Sequence, residues 1–134
     1  MNKKKIAFFL QNLSGGGAEK SVVNLSNFLI KEGIEIDIVL VDKANAAYLN
    51  ELNTKKNIVD LKKNRSLKSI YKVKKYIENY KPDIVMSSVT HINIILLLTK
   101  LITKKTKTKI VINQVNHLTS IVKHSVKINI FRQF

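Results

Sequence analysis

The sequence contains no cysteine and no tryptophan, one proline and four glycines. Without cysteine, neither a disulfide nor a thiolate metal site can form, and a reducing compartment suits the chain. Long hydrophobic runs are missing as well. The strictly apolar stretch Ile94–Leu98 is far shorter than the roughly 20 residues of a membrane-spanning helix. Lysines precede the first apolar run, but Gln11 and Asn12 interrupt it and no small-residue cleavage site follows, so no secretory leader is expected. Arginine is scarce: of 24 basic residues 22 are lysine, and only Arg65 and Arg132 carry the planar fork that phosphate and base recognition favour. A net charge of +15 invites a polyanion. The shortage of arginine nevertheless speaks against specific nucleic-acid reading, and the heavy use of lysine, asparagine and isoleucine also fits a plain compositional bias. Repeats and low-complexity linkers are absent, and 134 residues make a single domain with a sizeable core.

What is present is organised around Lys5–Gly33 (KIAFFLQNLSGGGAEKSVVNLSNFLIKEG). Ile6–Leu10 is continuously apolar, as in a strand covered on both faces. Gly15, Gly16 and Gly17 are expected to allow positive φ values and close approach of a ligand. From Ala18 a helix is expected, with Ala18, Val22, Leu25 and Leu29 on its apolar face and Gly33 ending it. Strand, glycine loop and helix together place unpaired N–H groups and a positive helix end at one spot, which attracts phosphate.

Further strands are expected at Glu35–Val41, closed by Asp42, at Ile58–Leu61, at Ile84–Ser87 and at Lys109–Val115. Asn45–Asn53 reads as a short helix or turn. Leu67–Tyr80 reads as a helix with Leu67, Ile70, Val73, Ile77 and Tyr80 on one face and Lys68, Lys72 and Lys75 on the other. Pro82 is expected to end it and to hold Lys81 extended. Asn93–Thr103 is a third helix, and Ser120–Val126 reads as a possible fourth. Alternating strands and helices imply an α/β fold built of right-handed βαβ units with a parallel sheet. Polar clusters fall at the strand ends: Asn12–Gly17, Asp42, Ser87, Ser88, Thr90 and His91, then Asn116 and His117. In such a sheet these share one edge, where ligands bind.

The glycine loop is no Walker loop, since no Gly-Lys-Ser/Thr follows. It is a poor dinucleotide fingerprint too: Lys20 stands where the third glycine would pack helix against strand. Asp42 could serve a ribose or simply end a strand, so a nucleotide-binding oxidoreductase domain is weakened as an alternative without being removed. Glu19 lies in the first helical turn, either to favour the dipole or to accept from a hydroxylated ligand. His117 is the candidate catalytic group at the crevice, with His91 a weaker one. Lys68, Lys72 and Lys75 read as a solvated face or as a contact with an anionic bilayer worth about 1 kcal/mol per lysine. The bilayer reading would make the chain a non-enzymatic basic module.

Leu13–Glu19 (LSGGGAE), the helix end Leu29–Gly33, the strand entry Lys81-Pro82-Asp83-Ile84-Val85 and the strand end Ile112–His117 together resemble the N-terminal domain of family 4 retaining glycosyltransferases. That resemblance implies one half of a GT-B architecture, in which two Rossmann-like domains face each other across a cleft; the sheet is then expected in order 3-2-1-4-5, with helices on both faces and the glycine loop at the switch point between the first and fourth strands. It implies that this half holds the acceptor, a lipid-linked or cell-surface glycan, with Gly15, Gly16 and Gly17 near the donor diphosphate and His117 lining the reaction centre. No resident cofactor or metal is implied; a nucleotide sugar is the co-substrate. A role in polysaccharide biosynthesis for the cell envelope follows, on the cytoplasmic side and peripheral at the inner face of the membrane. The family binds its donor chiefly through a C-terminal domain with paired glutamates, which these residues do not include. Residues 1–134 are therefore expected to be a truncated half, inactive alone, and Lys127–Phe134 matches no family element.

Overall fold

A computed structural model describes residues 4–43, 46–53, 57–62, 67–103 and 106–113, with the backbone alone at 67 and 68. Five strands, β1 (Lys5–Leu10), β2 (Glu35–Leu40), β3 (Ile58–Asp60), β4 (Ile84–Ser87) and β5 (Lys109–Ile112), form one sheet in the order β3-β2-β1-β4-β5. All four pairings are parallel, with Phe8 opposite Ile38 on one side and Met86 on the other. Helices α1 (Gly17–Lys31), α2 (Leu67–Tyr80) and α3 (Thr90–Ile102) and a 3-10 turn (Ala47–Glu51) connect them. This is the expected Rossmann-like order, and β1 and β4 flank its switch point.

Alternate residues of the central strands feed two cores, which is why those strands are apolar throughout. Ala7, Phe9, Val39 and Val85 pack under α2 and α3, against Val73, Ile77, Ile92 and Leu96. Phe8, Leu10, Ile36, Ile38 and Leu40 pack on the opposite face with Leu13, Val22, Val23 and Leu52.

Four details differ from the sequence expectation. Helix α1 buries Val22, Val23 and Ser26, while Ala18 is exposed and Leu25 is 40% exposed. The adjacent valines turn the helix so that Leu25 and Phe28 face outward. In α2 the core aromatic is Tyr76, not Tyr80, which is 52% exposed and stacks on Tyr76 at 4.9 Å. Helix α3 begins at Thr90, because only Ser88 and Val89 separate it from β4. Lys81 is left-handed (φ 45) rather than extended, since its N–H closes α2 onto the Ile77 carbonyl at 3.0 Å. Closing the helix outweighs the preference imposed by Pro82. Gly33, by contrast, ends α1 as expected, at φ 80 with its N–H on Ile30.

A buried ionic group lies at the N-terminal end of the sheet. Asp37 on β2 is 2% exposed; it accepts the Tyr76 hydroxyl and lies 3.0 Å from the Lys5 ammonium, which also meets Glu35 at 3.0 Å. Burial, with Asp37 adding to it, pushes the Tyr76 phenol far above its ordinary value. At Lys5 burial acts downward, but the hydrogen bonds to Asp37 and Glu35 outweigh it and the ammonium is raised. Both groups titrate higher folded than unfolded, so their stabilisation is complete below about pH 10 and is lost as pH rises beyond it. In urea titrations from pH 7 to 11, the stability gap between the wild type and Tyr76→Phe is expected to stay constant to about pH 10. Above that it should shrink by up to about 1.4 kcal/mol per pH unit.

Candidate functional site

The loop after β1 is built by its own side chains. The Asn12 carboxamide oxygen accepts the Ser14 N–H at 3.3 Å and the Ser14 hydroxyl at 2.9 Å. Gly15 has φ +134, a conformation nearly closed to other residues. The Glu19 carboxylate then reaches back and accepts the N–H groups of Gly15 and Gly16, both at 2.8 Å. Gly16 caps α1 in an ordinary extended conformation (φ −78, ψ 157), and Gly17 is already helical. Of the three expected positive φ values only that of Gly15 is found. A Cβ on Gly16 would lie 3.5 Å from the Glu19 carboxyl carbon, an ordinary contact, and one on Gly17 would meet nothing within 4 Å. The backbone therefore does not require glycine at 17, where its absence of side chain leaves the first turn of α1 bare.

The amides of Gly17 and Ala18 belong to that first turn and have no intrahelical acceptor. Both residues are exposed, and the positive end of the helix dipole, about half a charge, lies there. An anion is held well at such a point. Glu19 is thus engaged by the loop: its carboxylate holds two further amides that an incoming anion gains only by displacing it. Tyr48 pins the loop from outside, its hydroxyl donating to the Gly15 carbonyl and its N–H to the Leu13 carbonyl, each at 3.1 Å. The Lys20 ammonium lies 5.0 Å from the Tyr48 ring and pairs with Glu51. Lys20 therefore serves the 3-10 turn, and Val23 and Ser26, both fully buried, make the close approach of helix to sheet.

Gln11, the first polar residue after β1, joins this loop to the start of α3. Its side-chain oxygen lies 2.8 Å from Nε2 of His91. An amide oxygen only accepts, so Nε2 carries the hydrogen and Nδ1 of the neutral ring is an acceptor. The strand ends meet at the same edge: Asp42 N–H donates to the Gln11 carbonyl and Asn113 N–H to the Ser87 carbonyl, both at 2.9 Å. Ser87 is buried and its hydroxyl accepts from the Val89 N–H at 3.3 Å; Ser88 and Thr90 are half-buried beside it. Asn116 and His117 lie outside the described residues, as do the side chain of Lys68 and the fourth helix read over Ser120–Val126. Lys72 departs from a solvated face: α2 lies against the end of β3, and the half-buried Lys72 ammonium donates to the Leu61 carbonyl at 2.5 Å. Lys75 is exposed. Gln11 and Tyr48 escaped sequence reasoning. The position of Gln11 directly behind an apolar strand was a usable signal, whereas nothing local marks Tyr48.

The family model Glycosyltransferase Family 4 matches residues 15–123. No curated protein matches the sequence. Among solved structures, the crystal structure of a glycosyltransferase from Rickettsia africae ESF-5 superposes with a TM-score of 0.59 at 22% identity. The superposition covers 84% of this chain and 30% of that one, a likeness of fold.

Proposed function

Because the chain belongs to glycosyltransferase family 4, we propose that it forms the N-terminal, acceptor-side half of a GT-B enzyme. That enzyme moves a sugar from a nucleotide sugar to a lipid-linked or cell-surface glycan during cell-envelope polysaccharide synthesis. The observation carrying this reading is the bare, exposed first turn of α1 at the switch point of the sheet, bridged by Gln11 to His91. The Gly17 and Ala18 amides would hold the diphosphate of the donor and stabilise the charge it gains as the glycosidic carbon leaves. Each charge-assisted hydrogen bond contributes about 1.5–3 kcal/mol. Nδ1 of His91 would accept a hydrogen bond from an acceptor hydroxyl, with Ser88 and Thr90 lining the same edge. His117 and Asn116, by the family resemblance, would border the reaction centre.

These residues span 30% of the length of the solved neighbour and supply one wall of a cleft. Incubated with a panel of nucleotide sugars and glycolipid acceptors, residues 1–134 alone are expected to release no nucleoside diphosphate above background. A full-length family member carrying the same loop should release it with one donor. Turnover by the isolated residues would overturn the reading.

Peripheral contact with an anionic bilayer belongs to the same reading, but the structure shifts its basis. With Lys72 engaged on Leu61, attraction rests on Lys75, on the overall charge and on the apolar outer face of α3. There Ile94, Leu97, Leu98 and Leu101 are 43–69% exposed, beside Tyr71 at 66%. No helix among the described residues is long and apolar enough to cross a membrane. In vesicle sedimentation, 1 M salt, with a screening length of about 3 Å, is expected to weaken binding without abolishing it. Leu97→Gln/Leu101→Gln should remove the salt-resistant part. Complete release by salt would return the role to lysine alone.

A further inference from the structure

At the sheet edge opposite the glycine loop, a cavity of about 770 Å³ opens between the C-terminal ends of α2 and α3 and the starts of β4 and β5. We propose that it is a second ligand site, independent of any transfer at the crevice, which takes a neutral polyol: a sugar or cyclitol ring carrying no ionised group. The volume lies within the range of about 300–1,000 Å³ usual for small-molecule sites.

Three threonines set its hydrogen-bonding character, because their hydroxyl hydrogens are already committed. The Thr103 hydroxyl donates to the Thr99 carbonyl, that of Thr106 to the Thr103 carbonyl at 3.4 Å, and that of Thr108 to the Pro82 carbonyl at 2.7 Å. Towards the cavity all three can only accept. Thr103 and Thr108 are each 4% exposed, so their oxygens are fixed in the floor. The Asp83 carboxylate stands at the rim. It accepts the Lys5 backbone N–H at 2.7 Å, which leaves its charge in place and further lone pairs for a ligand. Glu78, ion-paired to Lys74, is another acceptor. A ligand here must therefore bring several donors.

Charge decides which donors. Two carboxylates and two helix C-termini, the latter about half a negative charge each, oppose an anion. The Lys81 and Lys107 ammonium groups on the same wall oppose a cation, as does Lys100, held on the Thr108 carbonyl at 2.8 Å. A hydroxyl meets both conditions. It donates to a carboxylate or a threonine oxygen, accepts from an ammonium, and carries no charge. Among the described residues no aromatic side chain lines the cavity, so a planar base has nothing to stack on. The C–H faces of a saturated ring suit Pro82 and Ile102.

The test follows the amide NMR spectrum of the 134-residue chain during titration with glucose, glucose 6-phosphate and cyclohexanol. Glucose is expected to shift the amides of Lys81, Asp83, Thr106 and Lys107 saturably, with half-saturation at about 1–10 mM. Cyclohexanol, a saturated ring with a single hydroxyl, should bind at least about tenfold more weakly. Glucose 6-phosphate should bind no more tightly than glucose. Asp83→Asn, which keeps an oxygen for the Lys5 N–H, and Thr106→Val, at a half-buried position, should each weaken glucose by about three- to tenfold while the rest of the spectrum stays in place. Thr108→Ser retains the floor hydroxyl and should bind like the parent. Absence of saturable shifts at these amides, tighter binding of glucose 6-phosphate, equal binding of cyclohexanol, or folded Asp83→Asn and Thr106→Val chains that bind like the parent would each overturn the proposal.

Discussion

On the proposed reading, Gly17→Val in a full-length family member carrying the same Gly-Gly-Gly-Ala-Glu loop is expected to lower kcat/KM for sugar transfer by a factor of about 100–1,000, the usual effect of removing one preorganised donor from a developing anion. The same variant should keep or slightly raise its stability. Gly17 is helical and exposed, a Cβ there meets nothing within 4 Å, and valine is a better helix former than glycine. The loss must therefore come from branched methyl groups standing over the first turn of α1, where the diphosphate is proposed to lie. Gly15→Ala is the contrasting variant. At φ +134 any side chain is strained, so about 1–3 kcal/mol of stability should go and activity should fall with the folded fraction. Steady-state kinetics paired with urea denaturation separates the two. If Gly17→Val transfers sugar at the parental rate, the three glycines are only a turn and the anion point of α1 is unused.

The difference between these glycines was not legible in the sequence. Three consecutive glycines announce freedom but not which residue uses it; that depends on Asn12 folding the loop one way and Glu19 holding it from the other side. The fold was far more legible. Ile6–Leu10 and Ile84–Ser87 are apolar enough to require cover on both faces, and the helices between strands are too long for anything but crossovers. Parallel pairing through right-handed crossovers then follows, while the order with its switch at β1 and β4 was expected only with the family resemblance and is the one found.

Local periodicity failed where two residues compete for one place. Tyr76 and Tyr80 both lie along the inner side of α2, and only the position of Phe9, 5.5 Å from Tyr76 in edge contact, decides which ring enters the core. Lys72 misled for the opposite reason: a long apolar stem lets a lysine half-bury and place its ammonium on a carbonyl, so its charge alone is a poor guide to exposure. Within the site, His91 could be named from its position after β4, but its partner Gln11 is 80 residues away, and only the pairing of β1 with β4 brings them together.

Asp37 was the least legible residue, since Glu35 and Asp37 read as the polar side of an alternating strand, yet Asp37 is almost wholly enclosed. Asp37→Ala is expected to destabilise the protein by about 3 kcal/mol, the low end of the 3–5 kcal/mol typical when one member of a buried ion pair is removed. The low end applies because Lys5 keeps Glu35 and the face of Tyr80, 5.3 Å away, whereas the Tyr76 hydroxyl loses its acceptor. Against a usual total of about 5–15 kcal/mol that is a large share. Replacing the group as a whole should behave differently. In Lys5→Met/Asp37→Leu/Tyr76→Phe no charge or hydroxyl of the three is left to desolvate, and stability should return to within about 1 kcal/mol of the parent or exceed it. Urea midpoints for the single and triple variants give the answer. A cost below about 1 kcal/mol for Asp37→Ala would show that water reaches the carboxylate and that the cluster has little part in holding α2 to the sheet.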